Sequence, residues 1–116
     1  MDKYTATYPK PTYKRQKTKV QKIKLQSSKK CYVTGRADGH DLQLHHCIYG
    51  NGKRKLADKY GLTVWLVTAY HTGDRGVHNG NTALDMELKQ LAQREFIQIY
   101  GYARWMQEFG RDYCVE

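Results

Sequence analysis

His45 and His46 stand side by side in DLQLHHCIYG (41–50), and His71 and His78 follow in TAYHTGDRGVHNGN (68–81). A neutral imidazole is both a good ligand for a divalent ion and a general base near neutral pH. Hydrolysis of a phosphodiester needs both. One group must take a proton from the attacking water, and a cation must offset charge on the phosphate and the departing oxygen. One histidine as base, with the others holding an ion, meets that need with few parts. The opposing reading is chance, because a single histidine doublet is a weak signal. In a regular strand, neighbouring side chains point to opposite faces. His45 and His46 are therefore expected to share one site only if the strand ends or bulges there, and Cys47-Ile48-Tyr49-Gly50 supplies a plausible break.

The elements that must position these residues can be read from pattern. LQLHH (42–46) alternates apolar and polar residues and fits a strand. CYV (31–33) is a short β-prone run, and TGRADGHD (34–41), which carries His40, is a turn-rich loop. Residues 47–61 read mostly as loop, with Gly50, Gly52 and Gly61 as breakers. LTVWLV (62–67) is β-branched and aromatic without interruption, the strongest strand signal in the chain. Residues 68–81 read as irregular. A long helix is expected over 82–101, with Thr82 as N-cap, Asp85 three residues on and Gly101 as the stop. Leu84, Leu88, Leu91, Ala92, Phe96 and Ile99 would form its apolar face. YARWMQEF (102–109) reads as a short helix closed by Gly110, its aromatic and Met positions packing the core. The pattern implies an α+β fold around a small sheet.

The chain has 116 residues, enough for one small domain, and a formal net charge of +9. That charge is uneven. Residues 1–30 hold ten basic side chains against Asp2, whereas the other 86 balance ten against ten. Residues 1–26 contain both prolines and few aliphatics, so they are expected to form a disordered basic arm ahead of a domain over 27–116. Blocks of like charge at a terminus are often interaction tails. Lys14, Arg15, Lys17 and Lys19 would displace counterions from nucleic-acid phosphates, and Tyr4, Tyr8 and Tyr13 could stack on bases. The plainer alternative is a solvated tail that aids solubility. VQKIKL (20–25) could add a short strand or helix on binding. No apolar run is long enough to cross a bilayer, and the basic N-terminus lacks the apolar segment of a signal peptide. Cys31, Cys47 and Cys114, odd in number and without framework spacing, point to a reducing cytoplasm.

DLQLHHCIYG, then GLTVWLVTAYH, then RGVHNGN ahead of a helix, resembles the HNH endonucleases of the ββα-metal (His-Me finger) class. The likeness is greatest to small phage-encoded members, including those related to the Ref recombination-enhancement nuclease. It covers about residues 31–112. The resemblance implies a small ββα-metal core followed by a long C-terminal helix, and a DNA endonuclease working in the cytoplasm of a bacterial host. It makes His45 a metal ligand and His46 the general base. His71 becomes the second ligand, with His78 competing for that place. The ion implied is Mg²⁺ or Mn²⁺. Lys53, Arg54 and Lys55 in the loop, and Arg75, become candidates for backbone contacts to DNA. For any one of these cations, an exposed surface charge is the simpler reading.

The sequence departs from the family pattern at the zinc ligands and at the Asn that usually orients the base. Relatives often carry a structural zinc held by paired cysteines. Here Cys31 would need partners at Thr34, Val67 and Tyr70, which are poor zinc ligands, so structural zinc is not expected. The middle Asn of the motif should fall near Leu62 or Thr63, and Asn51 is the nearest polar substitute. These losses motivate the alternative, a non-catalytic nucleic-acid-binding accessory of recombination with a degenerate HNH domain. A further variant is an enzyme that cuts only DNA coated by a recombinase filament. Oligomeric state is not legible.

Overall fold

The computed structural model describes residues 20–38 and 41–115. The basic candidates Lys14, Arg15, Lys17 and Lys19, together with His40, lie outside the described residues. Within them the order is β1 (Leu42–His46), α1 (Lys53–Tyr60), β2 (Thr63–Val67), α2 (Thr68–His71), α3 (Thr82–Tyr100) and α4 (Tyr102–Phe109). β1 and β2 form a two-stranded antiparallel sheet with Leu42 opposite Val67, His45 opposite Val64 and His46 opposite Thr63. The expected α+β mixture around a small sheet is what the chain adopts. The β-prone run at 31–33 contributes a single bridge, from Cys31 to Trp65.

Three local expectations need correction. The stretch read as loop contains α1, an eight-residue helix. Gly52 and Gly61 do not break it but bound it, each in the left-handed conformation at φ 83° and 77°. Its Ala57 and Tyr60, three apart, are buried, which supplies the tertiary packing a short helix needs. Asn81, not Thr82, caps α3, because its Oδ1 accepts the Leu84 N–H at 3.0 Å. Ile99 is 49 % exposed and off the apolar face, while Gln93 is buried there. Its Nε2 donates to Asp112 and its Oε1 accepts the Tyr113 N–H, both at 2.7 Å, so the buried amide is satisfied.

The core sits between the sheet and the two long helical segments. Tyr60, Phe96, Trp105 and Phe109 pack as one aromatic cluster. Ring centroids are 4.9 Å apart for Tyr60 and Phe96, and 4.3 Å for stacked Trp105 and Phe109. Burial of each such side chain is worth about 1.5–3 kcal/mol. Trp105 Nε1 finds the Arg111 carbonyl at 2.7 Å, so burial leaves no donor unpaired. Residues 20–26, read from sequence as the end of the arm, lie against this domain. Ile23 is buried, its N–H donates to Tyr60 O at 2.8 Å, and the Gln26 side chain accepts the Trp65 N–H at 2.7 Å. No helix among the described residues is long and apolar enough to cross a membrane.

Candidate metal centre

β1 presents Gln43 and His45 on one face, two residues apart. α2 continues directly from β2 and ends on His71, opposite that face. The chain then turns tightly. The His78 N–H donates to the His71 carbonyl at 3.0 Å, and the Val77 N–H to Tyr70 O at 3.0 Å. Buried Gly76 makes this return possible. A Cβ there would press into the His71 carbonyl group and lie 2.9 Å from Thr72 N. The result brings His45, His71 and His78 together, with one ligand nitrogen from each within 4.8 Å of the others. Ring centroids are 5.3 Å apart for His45 and His71, 5.1 Å for His45 and His78, and 4.8 Å for His71 and His78. Both His71 and His78, competitors on sequence, belong to the cluster.

His45 is the diagnostic member. It is 1 % exposed, and neither Nδ1 nor Nε2 has a hydrogen-bond partner. A buried polar group in that state costs about 1–3 kcal/mol. Burial, and then the neighbouring His78 and His71, push its pKa down to about 3. The imidazole is therefore neutral at physiological pH and has a lone pair to give. His71 is also lowered, first by burial and then by His78. Its Nδ1–H donates to Gln43 Oε1 at 2.6 Å, which fixes the tautomer and leaves Nε2 as the ligand atom. Tyr49 walls the cluster, with its ring 5.1 Å from His78. It is anchored from behind by its hydroxyl donating to Asp85 Oδ1 at 2.7 Å. Burial first, and that carboxylate second, raise its pKa, so it remains a neutral donor. Asp85 in turn pairs with Lys89 at 2.7 Å.

His46 does not join the three. β1 keeps regular register through its last residue, without the bulge that sharing would require. Instead His46 Nε2 lies 3.2 Å from Asp58 Oδ1 on α1. A carboxylate only accepts, so the proton sits on Nε2 and Nδ1 carries the lone pair. The ring still reaches the mouth of the histidine cavity, a space of about 220 Å³ whose walls include His45, His46, Tyr49, Arg54, His71 and His78. Asn51, the substitute for the middle Asn, lies in the exposed turn before α1 at φ 45°. Asp58 does the holding instead.

The four candidate DNA-contacting cations among the described residues divide. Arg54 lines both the histidine cavity and an adjoining cleft that Lys55 shares with His46 and Asp58. Lys53 is occupied elsewhere, donating to the Glu108 carbonyl at 3.2 Å. Arg75 is exposed and reaches Tyr70 Oη at 3.5 Å. Cys31 is a buried thiol whose sulfur accepts the Thr34 and Val67 N–H groups at 3.4 and 3.5 Å.

Gln43, Asp58 and Tyr49 escaped sequence reading. Gln43 had a usable signal, since it sits two positions before His45 in an alternating strand. Asp58 had none until α1 was known to be a helix. Comparison with protein-family models, curated proteins and solved structures gave no match for this chain.

Proposed function

We propose that the chain is a metal-dependent endonuclease of the HNH class that hydrolyses DNA phosphodiester bonds. The observation that carries this reading is the convergence of buried, unpartnered His45 on His71 and His78, with carboxylate-held His46 at the mouth of the same cavity. Three imidazoles fit a divalent ion and leave positions open, the pattern of catalytic rather than closed structural sites. An all-nitrogen set suits Zn²⁺, Ni²⁺ or Mn²⁺ better than Mg²⁺, which prefers oxygen. When bound, the ion would neutralise charge on the phosphate and on the departing oxygen.

The chain's own residues do the rest. His46 takes the proton of the attacking water on Nδ1. Asp58 holds the ring through Nε2 and so orients Nδ1 for that transfer. Arg54 contacts a phosphate oxygen at the rim, and Lys55 steers the backbone from the adjoining cleft. Gln43 keeps the His71 ligand atom aimed inward.

The non-catalytic accessory is favoured by the missing zinc-ligand cysteines and by Thr63 rather than Asn opposite His46. Cleavage of supercoiled plasmid and of single-stranded circles separates the two readings. The assay takes Mg²⁺, Mn²⁺, Zn²⁺ or EDTA in turn, with and without a recombinase filament. The nuclease cuts with a transition ion and is silent in EDTA. Salt-sensitive binding with no cutting under any condition would establish the accessory.

A further inference from the structure

The outer face of the β1–β2 hairpin pairs Leu44 with Trp65. Residues 22–29 run beside it and close a groove of about 410 Å³. Its floor is apolar, from Trp65 and from Leu44, which is 40 % exposed. Its walls carry Lys22, Lys24 and Lys29. The Lys29 Nζ sits over the Trp65 ring, 4.4 Å from its centroid, a cation–π contact that an incoming base would displace, freeing the ammonium for a phosphate. Leu44 also lines the histidine cavity, and Asp58 bounds both this groove and the cleft beside His46. Groove and cavity thus share Leu44 as a lining residue, and groove and cleft share Asp58.

An aromatic floor between cationic walls suits one class of polymer. Every nucleobase has a π face, and every phosphate releases counterions when a lysine replaces them. An acidic peptide would engage the lysines but leave the indole without a use. A duplex keeps its bases stacked inside and could not reach Trp65. The groove volume is in the range of small-ligand pockets, which fits a nucleotide and not a helix.

We propose that this groove is a subsite for single-stranded DNA. One base stacks on Trp65, the adjoining phosphates lie against Lys22, Lys24 and Lys29, and the strand passes Leu44 into the histidine cavity. The choice of DNA rests on the nuclease reading, but the test does not pass through cleavage.

The test is anisotropy of a labelled oligothymidylate and of a duplex of equal length, titrated with the full chain in EDTA. Trp65→Leu is expected to weaken single-strand binding roughly five- to hundredfold, the span of one base–aromatic stack. Emission from buried Trp105 reports that the variant is folded. The combined Lys22→Ala, Lys24→Ala and Lys29→Ala variant leaves the core untouched. It should reduce the log–log salt slope by about two, at roughly 0.7 per single-strand phosphate. Duplex affinity should not respond to Trp65→Leu. Unchanged single-strand affinity in Trp65→Leu, an unchanged slope in the lysine variant, or an equal loss on the duplex would overturn the subsite. Cutting of single-stranded circles, with single-strand binding that does not depend on Trp65, would reject the subsite and keep the nuclease. Dependence on Trp65 without cutting would do the reverse.

Discussion

His45 is buried without a hydrogen-bond partner, beside His71 and His78. Its folded pKa of about 3 is below the ordinary 6.5, so the unfolded chain takes up the proton first as pH falls. The stability this contributes is complete above pH 6.5 and is lost progressively towards about pH 3. Urea midpoints of the metal-free protein should fall through that window, and less steeply in His45→Leu. The same variant removes an unsatisfied buried imidazole. At neutral pH its metal-free stability should match or exceed wild type, by at most about 1–3 kcal/mol. It should also lose the rise in Tm that Zn²⁺ gives the wild type. A metal-free His45→Leu destabilised at neutral pH would mean the imidazole has a partner in the fold. The doublet was legible as chemistry because residue type alone states it. The different surroundings of its two members were legible only in part, since the opposite-face rule separated the two histidines but nothing nearby pointed to Asp58. Asp58→Asn should lower kcat with little change in KM, because the carboxylate acts on His46 and not on DNA.

At the scale of elements, strands β1 and β2 and helices α3 and α4 were readable because their patterning is strong and local. Helix α1 was not. Its eight residues carry four lysines or arginines, and glycines at both ends look like breakers until their left-handed φ shows them to be caps. The turn that joins α2 to α3 decides the metal centre, and its key residue is Gly76. A methyl group there collides with the His71 carbonyl, which the His78 N–H also needs. Gly76→Ala should therefore weaken metal binding roughly ten- to hundredfold, the usual cost of disturbing an outer-shell support. Calorimetric titration with Zn²⁺ measures it, and unchanged affinity would show that the turn does not set the site. Asn81→Ala removes the α3 cap and should cost about 1 kcal/mol without changing metal affinity.

At the scale of the molecule, the excess charge and the histidine cluster come from different parts of the sequence. All of the net +9 falls within residues 1–30, yet the histidine cavity lies in the balanced remainder. The sequence placed the end of the arm at residue 26, but Ile23 and Gln26 are committed to the domain. Composition could not reveal this, because one isoleucine among lysines gives no periodic signal. Deleting residues 2–19 therefore tests the arm while keeping Ile23 and Gln26. It should flatten the salt dependence of DNA binding and leave Tm unchanged; an unchanged slope would make the arm a spectator. The central claim is that one fold holds a metal centre and a separate base. The most direct measurement compares wild type, His45→Ala and His46→Ala for Zn²⁺ binding by calorimetry and for plasmid cleavage. Wild type is predicted to bind and cut. His45→Ala should lose both, and His46→Ala should bind with wild-type affinity while cutting roughly a hundred- to ten-thousand-fold more slowly. Full cutting by His46→Ala, or undiminished metal binding by His45→Ala, would contradict it.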